Sequence, residues 1–349
     1  MDTHFAKGHD ANDGKQGVFM ATAASFFCLG LFFSSITVLF WGMLPIALKL
    51  SGGFSDPITL TWLRFTVAGA ILLLWQWQRG KLGEFRSLSR NHWLRLFAAG
   101  SFLIVNYTLF AWSLDFMHPG SAQLSFQTSP LLLALGSLIF LKEQVRWQQW
   151  LCFAVLAAGM IIFFHPVLRG DLPGDSSTIA LGFGIVQVSA ASWCVYALLQ
   201  KSLYHRLSSA NILLAIYLFA LVVMLPFTHP AELVLMSTTD MLIAGFCCLN
   251  TVIAYGAFAQ AMRYWQTVQV SAAVALTPIA AFILTEVSVS LRWWPEVITS
   301  SHADSLSLFG MGLVVSAAIT VQLLSVQFAK QANRRAAAIQ LTAETKTLT

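Results

Sequence analysis

Apolar residues are gathered into long windows rather than alternating or recurring on one helical stripe. The windows fall at about 29–49, 57–77, 93–113, 119–141, 148–166, 178–200, 209–228, 240–262, 267–291 and 306–328. A membrane-spanning helix needs about 20 largely apolar residues, so the pattern predicts ten such helices joined by short polar connectors. Residues 17–28 (GVFMATAASFFC) are apolar as well, so the first helix starts earlier than 29, or translation starts at Met20. Residues 1–16 are polar and read as a disordered tail. No basic segment leads into a short apolar core there, which speaks against a signal peptide. Segments 1–28 and 329–349 are therefore expected to be tails, the first of them holding at most the start of helix 1.

Composition sharpens the class. Apolar residues make up 57% of the chain and charged ones only 10%, against about 45–50% and 25% in soluble domains. An ordinary soluble fold is excluded. So is a transmembrane β-barrel, whose alternating strands do not produce uninterrupted apolar runs. The fold class is all-α membrane protein, with the lipid bilayer as its main partner. Of the twenty lysines and arginines, Lys49 and Arg64 lie within spans and Arg169 and Arg292 in one set of loops; the other sixteen share the opposite side. The positive-inside rule then predicts ten helices in the cytoplasmic membrane with both termini cytoplasmic. The net charge of +5 is an orientation signal of this kind and not a footprint for nucleic acid. The five cysteines (Cys28, Cys152, Cys194, Cys247 and Cys248) all lie in apolar stretches, where thiols act as small hydrophobes; no disulfide framework, metal site or cofactor is implied. The Asn106-Tyr107-Thr108 sequon lies inside a predicted span and is no glycosylation signal.

The two halves resemble each other. Trp41 and Lys49 in helix 1 match Trp193 and Lys201 in helix 6, and an offset of 148 pairs Tyr107 with Tyr255, Ala111 with Ala259 and Ser129-Pro130 with Thr277-Pro278. Residues 29–166 and 178–328 thus read as two five-helix repeats. An odd helix count forces the second to insert upside down relative to the first, an arrangement common among secondary transporters, with the substrate site near the midplane where the halves meet.

The same residues carry a family resemblance. WGMLPIALKL, PITLTWLRF and NYTLFAWSLDFMHPGSAQLSFQTSPLLLALGSLIFLKE resemble the first repeat of EamA-type members of the drug/metabolite transporter superfamily; ASWCVYALLQKSL and TVIAYGAFAQAMRYWQTVQVSAAVALTPIAAFILTE resemble the second. The resemblance covers about residues 29–328. It implies a ten-helix 5+5 fold with a central cavity that moves small organic metabolites or drugs by proton coupling or exchange, often outward. The chain departs from the pattern in one place. The first repeat has an acid thirteen residues after its proline (Pro130 to Glu143), whereas Glu286 follows Pro278 by only eight, and a long segment, LRWWPEVITSSHADS, precedes helix 10.

Charges inside spans are costly and mark candidate functional positions. Glu286 would lie about 8 Å below the outer end of helix 9, and Arg64 about 10 Å from the same edge in helix 2. Lys49 belongs to that end too. These three are the candidates for coupling or gating, either as a permanently ionised Glu286–Arg64 pair or as a proton-titrated gate. Glu143, beside Lys142, reads as an interfacial charge. Pro130 and Pro278 remove mid-span hydrogen bonds and predict helix breaks. Candidate substrate-binding residues are Trp41, Arg64, Asn106, Tyr107, Trp112, Gln123, Gln127, Trp193, Tyr196, Asn250, Thr251 and Tyr255. Aromatic faces with a few amides and hydroxyls suit a mid-sized, partly apolar solute, neutral or anionic because bases outnumber acids at the outer end. Interhelical hydrogen bonding is the competing role for each polar residue. Trp293 and Trp294 read as interfacial anchors, and residues 79–96 as a loop lying on the anionic leaflet. Ala157, Ala158, Gly159, Gly310 and Gly312 permit close helix approach, in a homodimer or within one bundle.

A secondary carrier is the reading these features favour. The alternatives are an intramembrane enzyme, for which HExxH, GxSxG and a paired-carboxylate site are all missing, and a channel or non-transporting receptor. No Walker A motif points to ATP.

Overall fold

A computed structural model describes residues 7–140, 146–169, 176–265, 267–301 and 303–347. Among the described residues the chain is helical, without a β-strand. In order the helices are α1 (Lys7–Ser51), α2 (Pro57–Gln78), α3 (Arg90–Ser113), α4 (Pro119–Ser125), α5 (Ser129–Phe140), α6 (Trp147–Phe163), α7 (His165–Arg169), α8 (Ser176–Lys201), α9 (Ser209–Met224), α10 (Pro230–Val234), α11 (Thr238–Tyr264), α12 (Thr267–Val274), α13 (Thr277–Ser290) and α14 (Ser305–Thr347). Among the described residues, seven segments are long and apolar enough to cross a bilayer: Phe27–Ser51, Pro57–Gln78, Arg90–Ser113, Ser176–Lys201, Ser209–Phe227, Thr238–Tyr264 and Ser305–Leu324. Large apolar side chains such as Phe32, Trp77, Trp147, Leu151, Val222 and Leu242 are exposed on them and on α6. In water that surface would cost heavily; in lipid it costs nothing.

The other three predicted spans take different forms. Window 148–166 is the shorter α6, while 119–141 and 267–291 are each broken, at 126–128 by a 3-10 turn and near Leu276. The breaks have one cause. A proline cannot donate to the carbonyl four residues back and its ring crowds the preceding turn, so α5 restarts at Ser129 just before Pro130, and α13 at Thr277 just before Pro278. The first helix begins at Lys7, and α14 continues to Thr347, because the alanine-, glutamine- and arginine-rich stretch after the last span has high helix propensity and no proline to stop it. Glu143 and Lys142 lie outside the described residues.

Several of the helix contacts come in exchangeable pairs. Helix α1 lies on α11 as α8 lies on α3; α3 touches α9 as α11 touches α2; α1 touches α13 as α8 touches α5; α2 packs on α9, and α6 on α14. These contacts map onto one another when α1, α2, α3, α5 and α6 are exchanged for α8, α9, α11, α13 and α14. The α6–α14 seam is made by glycines: a Cβ on Gly310 would lie 2.6 Å from the Phe163 nitrogen and 2.7 Å from the Gly159 oxygen. Of the small residues flagged in the sequence, Gly159 and Gly310 therefore serve packing within one chain.

Candidate functional site

The helix pairs bring a polar cluster into the middle of the bundle. Tyr107 from α3 and Tyr255 from α11 share a hydrogen bond between their hydroxyls at 3.1 Å. These two residues are 148 apart in sequence and occupy matching positions of the two halves. The same is true at the helix breaks, where Gln127 Nε2 donates to the carbonyl of Ala275 at 3.1 Å, again across 148 residues. The breaks leave backbone carbonyls in need of donors, and side chains supply them. Thr128 Oγ1 donates either to the Ser125 carbonyl (3.1 Å) or to Gln187 Oε1 (2.7 Å), and Gln187 Nε2 approaches the Ser125 carbonyl at 3.3 Å.

Arg64 sits beside the tyrosines, only 2% exposed. Its Nε donates to Thr251 Oγ1 at 3.3 Å, and its Cζ lies 4.8 Å from the centre of the Tyr107 ring, within cation–π range. Trp41 meets Tyr255 edge-on at 5.4 Å, while Phe65 bridges Tyr107 (4.8 Å) and Tyr217 (4.9 Å). Trp193 stands edge-on to Phe126 at the first break, and Tyr196 is buried in the core shared by α2, α3, α8 and α9. Trp41, Arg64, Tyr107, Thr251 and Tyr255 thus form one group and Gln127 and Trp193 a second at the breaks.

Other predicted site residues are placed elsewhere. The amide nitrogen of Asn106 donates to both the carbonyl (3.0 Å) and hydroxyl (2.9 Å) of Ser189, and that hydroxyl returns a bond to the Asn106 carbonyl. Asn250 donates to the Phe40 carbonyl. The two asparagines thus join α3 to α8 and α11 to α1, the interhelical role that competes with solute binding, while the buried Oδ1 of Asn250 has no hydrogen-bond partner among the described residues. Trp112 is exposed and stands edge-on to Phe116. Gln123 lies on α4, and the hydrogen bond between the tyrosines does not involve it.

The expected Glu286–Arg64 pair is also corrected. Glu286 Oε1 accepts from the Ser301 nitrogen (2.9 Å) and hydroxyl (2.8 Å), its Oε2 accepts from Ser300 Oγ (2.9 Å), and His118 Nε2 lies 3.6 Å away. The long segment after helix 9 folds back on the carboxylate, which is why no arginine is needed there. Two left-handed residues, Arg292 (φ 55) and Trp294 (φ 50), turn the chain, and Ile298 is buried among Ile46 and Leu50 of α1. Trp293 and Trp294 stay exposed, as anchors at the bilayer edge would. Lys49 donates to the Met117 carbonyl at 3.1 Å and lies near Asp115. Burial pushes that carboxyl above its usual range, with the lysine opposing it. At the same end of the bundle Asp56, His229 and Glu232 bring ligand atoms within 4.8 Å of one another. Asp56 is already committed to capping α2 through the Ile58 and Thr59 nitrogens, and the group is largely exposed, so it makes a poor cation site.

Sequence reasoning overlooked Gln187, Thr128, Ser189 and His118. Gln187 met the criterion used for the other amides, a polar residue inside a span, and His118 precedes a proline in the position of a helix cap; its ring Nδ1 accepts from the Gly120 nitrogen.

The EamA-like transporter family model matches residues 28–165 and again residues 180–319. The chain belongs to this family. Its EamA relatives include the inner membrane transporter YhbE of Escherichia coli strain K12, described as uncharacterized, with 31% identity over 299 residues, 83% of this chain and 90% of that one. An uncharacterized transporter of Haemophilus influenzae is 29% identical over 294 residues, 83% of this chain and 94% of its own. A solved crystal structure, 20% identical, matches 87% of this EamA chain and 99% of its own length at a TM-score of 0.56, which speaks for the fold alone.

Proposed function

We propose that this EamA-family protein is a secondary carrier for a small organic solute, working by alternating access in the cytoplasmic membrane. Its ten membrane segments form two five-helix repeats inserted in opposite senses, with both termini cytoplasmic. The observation that carries the reading is the meeting of sequence counterparts: Tyr107 with Tyr255 and Gln127 with Ala275. In a two-fold arrangement the residues on the axis are those that touch their own mates, and in inverted-repeat carriers the solute site lies at that junction. The two proline breaks meet there, which gives each half a place to bend as the site opens to one side and then the other. The name of the Escherichia coli relative supports the membrane assignment.

Purified protein in proteoliposomes tests this. Uptake of radiolabelled organic acids, amines and neutral metabolites is measured with and without an imposed proton gradient, and with or without unlabelled solute inside. Saturable uptake of at least one class, accelerated by solute inside or by the gradient, is expected. Folded protein that moves none of them, or passes them without saturation, contradicts a carrier.

A further inference from the structure

Among the described residues, Arg64 is a cation without a counter-ion. It is 2% exposed, yet its only hydrogen bond among the described residues is the Nε contact to Thr251, and its two Nη groups have no protein partner there. The ionisable side chains whose fields overlap its own are Tyr107, Tyr217, Cys247 and Cys248, all neutral groups at neutral pH. Glu286 is held by Ser300 and Ser301, and Asp115 faces Lys49. A guanidinium keeps its charge in proteins, and a desolvated charge left unpaired costs several kcal/mol. A cation–π contact to one tyrosine returns only about 2 kcal/mol of that.

Three features favour a ligand over a purely structural role. The planar fork of two Nη groups matches a carboxylate or phosphate in a bidentate grip, and that is the part left free. The arginine also bridges the halves, extending from α2 to Thr251 on α11, beside the Tyr107–Tyr255 contact. Finally, an offset of 152, the one relating Trp41 to Trp193, places Ile216 opposite Arg64, so the charge has no mate in the second half. A solute at the junction would meet positive charge on one side and the aromatic faces of Trp41 and Tyr255 on the other.

Resting on the carrier reading above, we infer that Arg64 is the anion-binding residue of the central site and that the transported solute is a small organic anion with an apolar body. Its acidic group takes the two free Nη groups, and its apolar part lies against Trp41 and Tyr255. Binding supplies the missing counter-ion, so the loaded site crosses the bundle with less net charge than the empty one.

The test compares acetate, phenylacetate and indole-3-acetate with their neutral amides, for wild type, Arg64→Lys and Arg64→Gln. Binding is read in detergent as ligand-induced thermal stabilisation and by competition, independently of flux. Wild type should bind at least one carboxylate about tenfold more tightly than its amide. Arg64→Gln should lose that preference, and Arg64→Lys, which keeps the charge but not the fork, should fall between. Equal binding of acids and amides, no binding of any acid, or an acid preference that survives Arg64→Gln overturns the inference. If Arg64→Gln does not fold, the acid-to-amide ratio on wild type still decides. Nanodiscs of phosphatidylcholine and of phosphatidylglycerol separate the two sources of such an anion: carboxylate binding abolished by the anionic lipid would assign the site to a headgroup and overturn a solute. In proteoliposomes, flux of amides or amines that persists in Arg64→Gln leaves the carrier standing while removing the anion site; loss of all flux in folded wild type fails the carrier reading, with the binding ratio still deciding on Arg64.

Discussion

Replacing Gly310 with alanine should lower the melting point and folded yield in detergent, while the same change at Gly312, two residues on, should leave both nearly unchanged. A new Cβ at Gly310 would sit 2.6 Å from the Phe163 nitrogen, 2.7 Å from the Gly159 oxygen and 3.0 Å from the Ile162 carbonyl carbon, whereas nothing lies within 4 Å of one at Gly312. All three neighbours at Gly310 are backbone atoms of a facing helix, which no side-chain rotation relieves. Overpacking of this kind costs about 1–3 kcal/mol, and the gain in helix propensity from alanine, up to about 1 kcal/mol, offsets only part. At Gly312 the propensity gain stands alone. Equal melting points for the two variants would show that α6 and α14 are not held this closely.

A second large effect is expected at Glu286. Its carboxylate gathers the Ser301 nitrogen and two serine hydroxyls, and thereby pins the segment after α13 against α1, with Ile298 as its buried anchor. Glu286→Ala leaves these donors without an acceptor, at a cost of about 1–3 kcal/mol given that the side chain is about one-third exposed. The segment's amides should then exchange with deuterium much faster, and a protease should cut it more readily. Glu286→Gln retains one acceptor oxygen and should be milder. Because Glu286 and Arg64 have separate partners, substitutions at the two should add within about 0.5 kcal/mol. Strong coupling between them would restore the ion pair, and unchanged exchange in Glu286→Ala would remove the latch.

The contrast at Glu286 shows where the sequence is informative. Apolar windows locate the spans because lipid imposes one length and one composition on each. The prolines locate the helix breaks because a missing amide hydrogen is a property of the residue itself. Counterparts such as Tyr107 and Tyr255 could be paired by counting, though counting could not tell that they touch. Partner choice was the illegible part. The sequence assigns Arg64 and Glu286 to one end of the bundle, but which group reaches each charge depends on how the segment after α13 folds, and that segment has no periodicity to read. The asparagines were illegible for a related reason: an amide inside a span looks the same in sequence whether it greets a solute or staples two helices, and the contacts to Ser189 and to the Phe40 carbonyl come only from the fold.

Opposite insertion of the two halves is the claim on which the axis, the junction and the carrier reading all rest. It is tested most directly by single-cysteine labelling in a cysteine-free background, with Arg86→Cys in the connector after α2 and Glu232→Cys in the connector after α9, the equivalent place in the second half. In intact cells a membrane-impermeant maleimide should label position 232, and should reach position 86 only after the membrane is opened. Labelling of both positions from the same side would mean that the halves are inserted in the same sense and would contradict the account.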